Sequence, residues 1–225
     1  MSSSGNTSFG ILQDEWLVSY AAGCLNEGQA LMVATHTEFH PELQGKLQQA
    51  EDIGGVMLED LEPSAIDDNS LASVLDMIDE LPSFDSTDDT TSPLQADRTL
   101  PSSLFHYLGK NLQDLQWRTM GPGMRQVQLW SGAKGEKLWL LKAKGGTNIP
   151  AHDHRGTEMT LVLTGSYHVG DQQFKPGFVE LADADLENHQ PVIDEGEECI
   201  CLVVTEAPIR LHSLIARMAQ PFIGL

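Results

Sequence analysis

Residues 146–165 read GTNIPAHDHRGTEMTLVLTG, and this stretch decides the fold that the sequence predicts. His152 and His154 are two residues apart and Glu158 keeps the same parity, so all three side chains share one face if the backbone is extended. A fourth candidate, His189, follows a second turn signal. Because imidazole and carboxylate groups at such spacing suit a borderline divalent metal, the stretch predicts a metal site on a β-structure.

Short runs of β-forming residues surround this stretch and are separated by glycine and proline turns. They begin at Gln126, Lys137, Met159, Tyr167, Phe178 and Ile200. Residues 199–205, CICLVVT, are apolar and rich in β-branched side chains, as a buried strand requires. Many short strands at this spacing are typical of a β-sandwich or a β-barrel.

Charge is distributed very unevenly over the 225 residues, whose net charge is −20. Residues 1–98 hold 19 acidic and 2 basic side chains, a net charge of −17, whereas residues 99–225 hold 14 and 11, a net charge of −3. A negative field of this size repels nucleic acid and favours a basic protein partner, with fast encounter and salt-sensitive binding. The acidity also fits a simpler role in solubility, which the sequence leaves open.

The acidic half of the chain shows helical periodicity. The spacing of its apolar residues predicts helices over 13–24, 27–50 and 70–81. Asn26 is a suitable N-cap for the second helix, and Pro82 ends the third. The first half is therefore predicted to be a small helical domain.

Residues 82–99 separate the helical half from the β-rich half. Their sequence, PSFDSTDDTTSPLQADRT, is rich in serine, threonine, aspartate and proline, which is typical of a linker. We therefore predict an α+β multidomain chain, with a helical domain over 1–81 and a β-barrel domain over 100–225.

Neither the start nor the interior of the sequence resembles a membrane-directed segment. No apolar stretch reaches the roughly 20 residues that a membrane span needs, and residues 1–10 lack the basic and apolar parts of a signal peptide. Three cysteines, Cys24, Cys199 and Cys201, form no disulfide framework, which is typical of a reducing compartment. These features predict a cytoplasmic protein.

The histidine-rich stretch resembles a known motif. Its pattern, G-x5-H-x-H-x3-E-x6-G, is that of the first motif of the cupin superfamily, and Gly170-x5-Pro176-Gly177 followed by His189 resembles a shortened second motif. The resemblance implies a C-terminal cupin barrel, a double-stranded β-helix of jelly-roll type with a metal in its mouth. It also implies one divalent metal held by four ligands: His152, His154, Glu158 and His189. The family favours zinc, whereas Fe, Mn, Ni and Co also suit three imidazoles and one carboxylate.

Several further segments are similar to the ChrR family of anti-sigma factors: LPSSL (100–104), WRTMGPGMRQ (117–126), HRGTE (154–158) and QPFIGL (220–225). The resemblance covers 100–225 and, more loosely, 14–50. It implies that the helical domain binds an extracytoplasmic-function (ECF) sigma factor, and that the cupin domain governs release under oxidative stress from singlet oxygen or peroxide. It implies no direct contact with nucleic acid or membrane, and it leaves a homodimer open.

The helical half departs from the pattern of the zinc-type anti-sigma group. That group carries a His-x3-Cys-x2-Cys cluster on the second helix, joined by an earlier histidine. Here His36 matches the histidine, His40 stands at the first cysteine position and Leu43 at the second, while residues 1–35 contain no histidine. Two histidines four residues apart share one helical face, so the pair is a candidate second metal site, although structural zinc is nearly always four-coordinate.

Two other questions stay open in the sequence. Cys199 and Cys201 lie on the same side of a strand and could be a redox pair, or simply small buried apolar residues. The four-ligand site also fits a metal-dependent cupin enzyme, a dioxygenase or isomerase, or a cupin that binds a small ligand beside a vestigial helical domain. A strongly acidic helical domain is harder to explain for a metabolic enzyme, so we favour the regulator.

Overall fold

The structure is a computed structural model that describes residues 9–81, 100–186, 189–208 and 210–212. Its five helices are α1 (Asp14–Ala21), α2 (Glu27–Phe39), α3 (Pro41–Glu59), α4 (Ser70–Asp79) and α5 (Ser102–Leu108) within these ranges. The predicted cap of α2 is confirmed, because the Asn26 side chain accepts the Gln29 backbone N–H at 2.9 Å. The Gln29 side chain in turn accepts the Asn26 backbone N–H at 3.3 Å, which completes a capping box.

The β-rich part begins after a short 3-10 turn and consists of antiparallel strands. They are β1 (Arg118–Gly121), β2 (Met124–Ser131), β3 (Lys137–Ala143), β4 (His152–Asp153), β5 (Glu158–Thr164), β6 (Tyr167–Val169), β7 (Gln172–Phe174), β8 (Val179–Ala182), β9 (Val192–Ile193), β10 (Cys199–Thr205) and β11 (Arg210–Leu211). A six-stranded sheet has the order β1-β2-β3-β10-β5-β8, and smaller sheets have the orders β7-β6-β9 and β11-β4. The predicted arrangement of helices followed by a cupin barrel is confirmed.

Strand alternation divides the six-stranded sheet into two buried faces. In β10, Leu202 and Val204 join a core that includes residues of α1 and α2, whereas Cys201 and Val203 join the core inside the barrel. Alternation along β5 likewise places the Glu158 and Thr160 side chains in the barrel interior. Because both faces are covered, the central strands are apolar nearly throughout, as the run 199–205 predicted.

Helices α1 and α2 lie against the outer face of this sheet. Leu17 of α1 and Met32 of α2 are almost fully buried in one core with Leu140 and Leu202. Such a shared core means that the first two helices are positioned by the barrel wall. The predicted linker over 82–99 lies outside the described residues, and the division into separate domains stays a prediction.

The predicted single helix over 27–50 is wrong, because the chain breaks at His40. This residue has φ −128° and ψ 81°, and Pro41 then begins α3. A residue before proline is pushed out of the helical region, whereas proline itself is well suited to the first turn of a new helix. Helix α3 then continues through the paired glycines Gly54 and Gly55 to Glu59.

Helix α4 differs from the other helices in having no buried residue. The apolar stripe that the sequence predicted is present, but Leu71, Val74, Leu75 and Ile78 are each more than half exposed. We refer to these four residues as the α4 stripe. No helix among the described residues is long and apolar enough to cross a membrane.

Candidate metal centre

The four predicted ligands come together in the barrel interior. The side chains of His152, His154, Glu158 and His189 are buried, and one potential ligand atom from each lies within 4.8 Å of those of the others. His154 Nε2 is 3.1 Å from His189 Nδ1. Two nitrogens bound to one zinc at the tetrahedral angle are about 3.3 Å apart, so this separation fits donors on a common ion.

Cross-strand pairing explains why residues so distant in sequence meet here. His152 and His189 form an antiparallel bridge, with N···O distances of 3.1 and 3.0 Å between their backbones. Directly paired residues carry their side chains on the same face of the sheet. Glu158 begins β5 with its side chain turned into the barrel, so it faces the histidines from the neighbouring sheet.

Burial prepares the histidines to act as ligands. It lowers the pKa of His152 to about 4 and, together with the neighbouring histidines, lowers the pKa of His154 to about 3. Both imidazoles are therefore neutral near pH 7, which is the form that binds metals. Burial raises the pKa of Glu158 to about 7, because the anion loses its hydration in the barrel interior. The donor set therefore fits a divalent cation, which would supply the positive charge that this carboxylate lacks and a Lewis acid beside the cavity.

A cavity that opens to solvent lies beside the four predicted ligands. Most of its wall is apolar, with Met120, Trp139, Ile149 and Ile193 among the lining residues. Space of this kind next to a metal is what the alternative interpretations, an enzyme or a small-ligand binder, would need. Both alternatives remain predictions.

Glu180 is a site residue that the sequence analysis missed. It is 7% exposed, lies on the cavity wall, and its Oε1 is 3.0 Å from His189 Nε2. Its other oxygen, Oε2, accepts the Tyr167 hydroxyl at 2.7 Å. The signal was available, because a lone carboxylate in the apolar run 178–182 requires a buried partner.

The candidate redox residues Cys199 and Cys201 both lie in the barrel core. Their Sγ atoms are 3.6 Å apart, and Cys201 also lines the cavity. Hydrogen bonding to Cys199, together with burial, raises the pKa of the Cys201 thiol well above its usual value, so the thiol is protonated. The structure therefore places Cys201 on the cavity shared with three of the four predicted ligands and Cys199 next to it, and the redox role of the pair stays a prediction.

The candidate second site consists of two neighbouring rings, not of a ligand cluster. The His36 and His40 ring centroids are 4.6 Å apart. His36 is fully buried, and its Nε2 accepts the Leu12 backbone N–H at 3.2 Å. His40 Nε2 is 2.8 Å from the Gly177 carbonyl oxygen on the barrel, and its Nδ1 is 3.2 Å from a Glu42 oxygen. These contacts join the helices to the barrel, and metal binding by the pair stays a prediction.

Comparison with known proteins agrees with this architecture. Residues 108–208 match the ChrR cupin-like domain family. The anti-sigma-E factor ChrR of Cereibacter sphaeroides is 38% identical over 213 residues, which are 94% of this chain and 96% of that protein. A chain in the crystal structure of Rhodobacter sphaeroides SigE in complex with the anti-sigma ChrR is 37% identical and has a TM-score of 0.73, covering 87% of this chain and 98% of its own length. Because a relative of this identity is matched over nearly its full length, the chain belongs to the ChrR family of anti-sigma factors.

Proposed function

We propose that this chain binds an ECF sigma factor through its helical part and releases it when oxidant chemistry alters the metal-bearing barrel. The observation that carries the proposal is the exposed apolar surface of the last two N-terminal helices. Of the sixteen large apolar side chains that are exposed in the described part of the chain, twelve lie between Ile53 and Leu81. Exposed apolar groups at this density mark a binding surface for another protein.

The charge around this surface indicates the chemistry of the partner. Residues 51–81 contain ten acidic side chains and no basic one. Apolar residues rimmed by negative charge suit an apolar cleft rimmed by lysine and arginine. A sigma factor that must bind the DNA backbone offers such basic surfaces, and an anti-sigma factor can occlude them. The relative crystallised as a SigE complex with ChrR supports the same class of partner.

The binding proposal is tested by co-expressing the full chain with an ECF sigma factor of the same organism. A stable complex is expected, and its dissociation constant should rise about tenfold or more between 50 and 500 mM salt, because the charges at its rim are screened. Calorimetry gives the affinity, and light scattering gives the number of copies of each chain, including any homodimer. Absence of a complex at every salt concentration would rule out the anti-sigma function.

We further propose that the bound metal is zinc. Three imidazoles and one carboxylate form a set that zinc accepts readily, and the ligand atoms are close enough for four-coordinate geometry. Burial of the donors favours an ion that neutralises the Glu158 carboxylate. Elemental analysis of the purified chain identifies the metal directly.

The two cysteines of β10 offer one route by which a peroxide could act. A hydroperoxide can take two electrons from the Cys199 and Cys201 thiols, which would form a disulfide while the peroxide becomes an alcohol and water. The sulfur atoms are 3.6 Å apart, but a buried protonated thiol is a poor nucleophile, so this route requires the Cys201 proton to be removed first. Because Cys201 lines the cavity beside the predicted ligands, such a change would alter packing next to the metal.

A hydrogen-bond connection links the ligand turn to helix α2. Glu206, just after β10, accepts the Thr157 backbone N–H at 2.9 Å through one oxygen and the Gln29 side-chain amide at 3.1 Å through the other. Thr157 precedes the ligand Glu158, and Gln29 forms part of the α2 capping box. Movement of the ligand turn would therefore act on the start of α2 through this carboxylate, in addition to the backbone hydrogen bond from Glu206 N–H to the Thr157 carbonyl oxygen at 3.0 Å.

We expect Glu206→Ala to leave sigma binding within about twofold of wild type but to slow oxidant-driven release several-fold, because a side-chain pair that couples two elements is worth about 0.5–2 kcal/mol. Release is followed by fluorescence of a labelled sigma factor during photosensitised production of singlet oxygen. Glu198→Ala is the matched control, since Glu198 is exposed and its ion pair with Lys142 is long, at 3.9 Å. Equal release rates in wild type and Glu206→Ala would show that coupling takes another path.

A further inference from the structure

We propose that Glu180 is a positioning residue of the metal centre: it accepts the Nε2 proton of His189 and so turns His189 Nδ1 toward the ion, while Tyr167 holds the carboxylate in place. The inference rests on the proposed metal site and adds two residues to it. Neither residue belongs to the motif that predicted the four ligands.

The position of Glu180 follows from strand register. In the antiparallel pair of β5 and β8, Thr160 is the partner of Glu180. Thr160 lies on the barrel side of β5, so Glu180 lies on the same side of β8 while its neighbour Val179 packs toward the helices. The carboxylate is thereby fixed on a rigid sheet opposite His189.

The two nitrogens of His189 have different partners, and this difference determines which one can bind metal. Nε2 is 3.0 Å from Glu180 Oε1, whereas Nδ1 is 3.1 Å from His154 Nε2. A neutral imidazole carries one N–H, and a carboxylate can only accept, so the proton belongs on Nε2. The Nδ1 lone pair then points into the ligand cluster.

The same device serves His152 with a different acceptor. Its Nδ1 is 2.9 Å from the Pro150 carbonyl oxygen, which places the proton there and leaves Nε2 for the ion. Metal-bound histidines commonly donate their second N–H to a carbonyl or a carboxylate, which fixes the ring and raises the basicity of the ligand nitrogen. A carboxylate has the stronger effect because the hydrogen bond is charge-assisted.

Tyr167 keeps Glu180 in this role and away from the ion. Its hydroxyl donates to Glu180 Oε2 at 2.7 Å, so both carboxylate oxygens are engaged. The Tyr167 ring is 2% exposed and stacks on Phe174 at a centroid distance of 5.0 Å, which restrains its hydroxyl. Two donors also offset the cost of burying the carboxylate.

The test measures Zn²⁺ affinity of the full chain by competition with a chromophoric chelator. Glu180→Ala is expected to weaken binding about 10- to 100-fold while one ion per chain is still bound, which is the usual effect of losing such a partner. Glu180→Gln, which keeps an acceptor oxygen, and Tyr167→Phe should lie between the alanine variant and wild type. Asp194→Asn is the matched control, because Asp194 accepts from His168 at 2.8 Å in a pair outside the ligand cluster.

A Co²⁺-substituted sample separates positioning from direct ligation and from simple structural damage. The absorption bands of Glu180→Gln should shift in energy but keep the wild-type intensity, because the coordination number is unchanged. The spectrum of Asp194→Asn should be the same as that of the wild type. Zinc affinity within twofold of wild type in both Glu180→Ala and Tyr167→Phe would overturn the inference. A lower coordination number in Glu180→Gln would also overturn it, because Glu180 would then be a ligand. A wild-type chain that binds no Zn²⁺ would instead refute the metal site itself, independently of sigma binding.

Discussion

Replacing His152 and His154 by alanine is expected to abolish metal binding, lowering the content from about one divalent ion per chain to a small fraction of one. The double variant keeps only Glu158 and His189 of the cluster, and two ligands make a weak site. An ion present at about 1,000 times its dissociation constant stabilises the folded chain by about 4 kcal/mol, so the wild type should lose roughly 10 °C in Tm when a strong chelator removes the metal. The Tm of the variant should not respond to the chelator.

The behaviour without metal sharpens this prediction. Burial lowers the pKa of His152 to about 4, because a charged imidazolium would lose its hydration in the barrel core, so without metal the ring is neutral near pH 7. In chelator the double variant is expected to be less stable than the wild type, because it lacks the packing and hydrogen bonds of two buried rings, but unlike the wild type it should have the same Tm with and without chelator. His168→Ala is the control, since His168 pairs with Asp194 at 2.8 Å outside the ligand cluster. A variant that keeps one ion per chain would refute the site, and two ions in the wild type would point to His36 and His40.

The sequence predicted that the four candidate ligands come together, and for the first three this was possible because they are local. His152, His154 and Glu158 share parity within one short segment, and alternation along a strand is a strong constraint. The bridge between His152 and His189 is different, since 37 positions separate the two and only the closed barrel sets their register. His189 was predicted as a ligand only from the resemblance to the second cupin motif, and its partner Glu180 was identified only from the structure.

Periodicity was less reliable in the helices. The step of four through Leu31, Thr35, Phe39 and Leu43 continues across the break at His40, so the pattern predicted one helix where there are two. The proline ring of Pro41 sterically excludes His40 from the helical region of backbone angles, so the helix ends there although the side-chain pattern continues. Periodicity also predicted the α4 stripe correctly, yet it cannot distinguish a face that packs on the chain's own core from one that awaits another protein.

Substitution of Ile78 by aspartate is expected to weaken sigma binding by about 2–4 kcal/mol, roughly 30- to 1,000-fold, if the α4 stripe is the centre of the interface. Ile78 is 55% exposed in the free chain, so aspartate there is hydrated and should change its unfolding free energy by only about 0.5 kcal/mol. In the complex the same carboxylate would be buried without a partner, which costs far more than the lost apolar contact. The expected effect is therefore large on binding and small on folding.

A matched control separates the effect of the added negative charge from the effect of losing the apolar side chain. Gln172→Asp on β7 adds the same single negative charge at an exposed strand position outside the helical part, and it should leave the affinity within about twofold of wild type. Calorimetric titration of the sigma factor into each variant gives the affinities, and thermal melts of the free chains check that folding is intact. If Ile78→Asp binds within threefold of wild type, the exposed stripe is not the sigma-binding surface. A loss confined to Ile78→Asp would instead mean that apolar contact at α4 holds the complex, with the surrounding carboxylates setting its encounter rate and salt dependence.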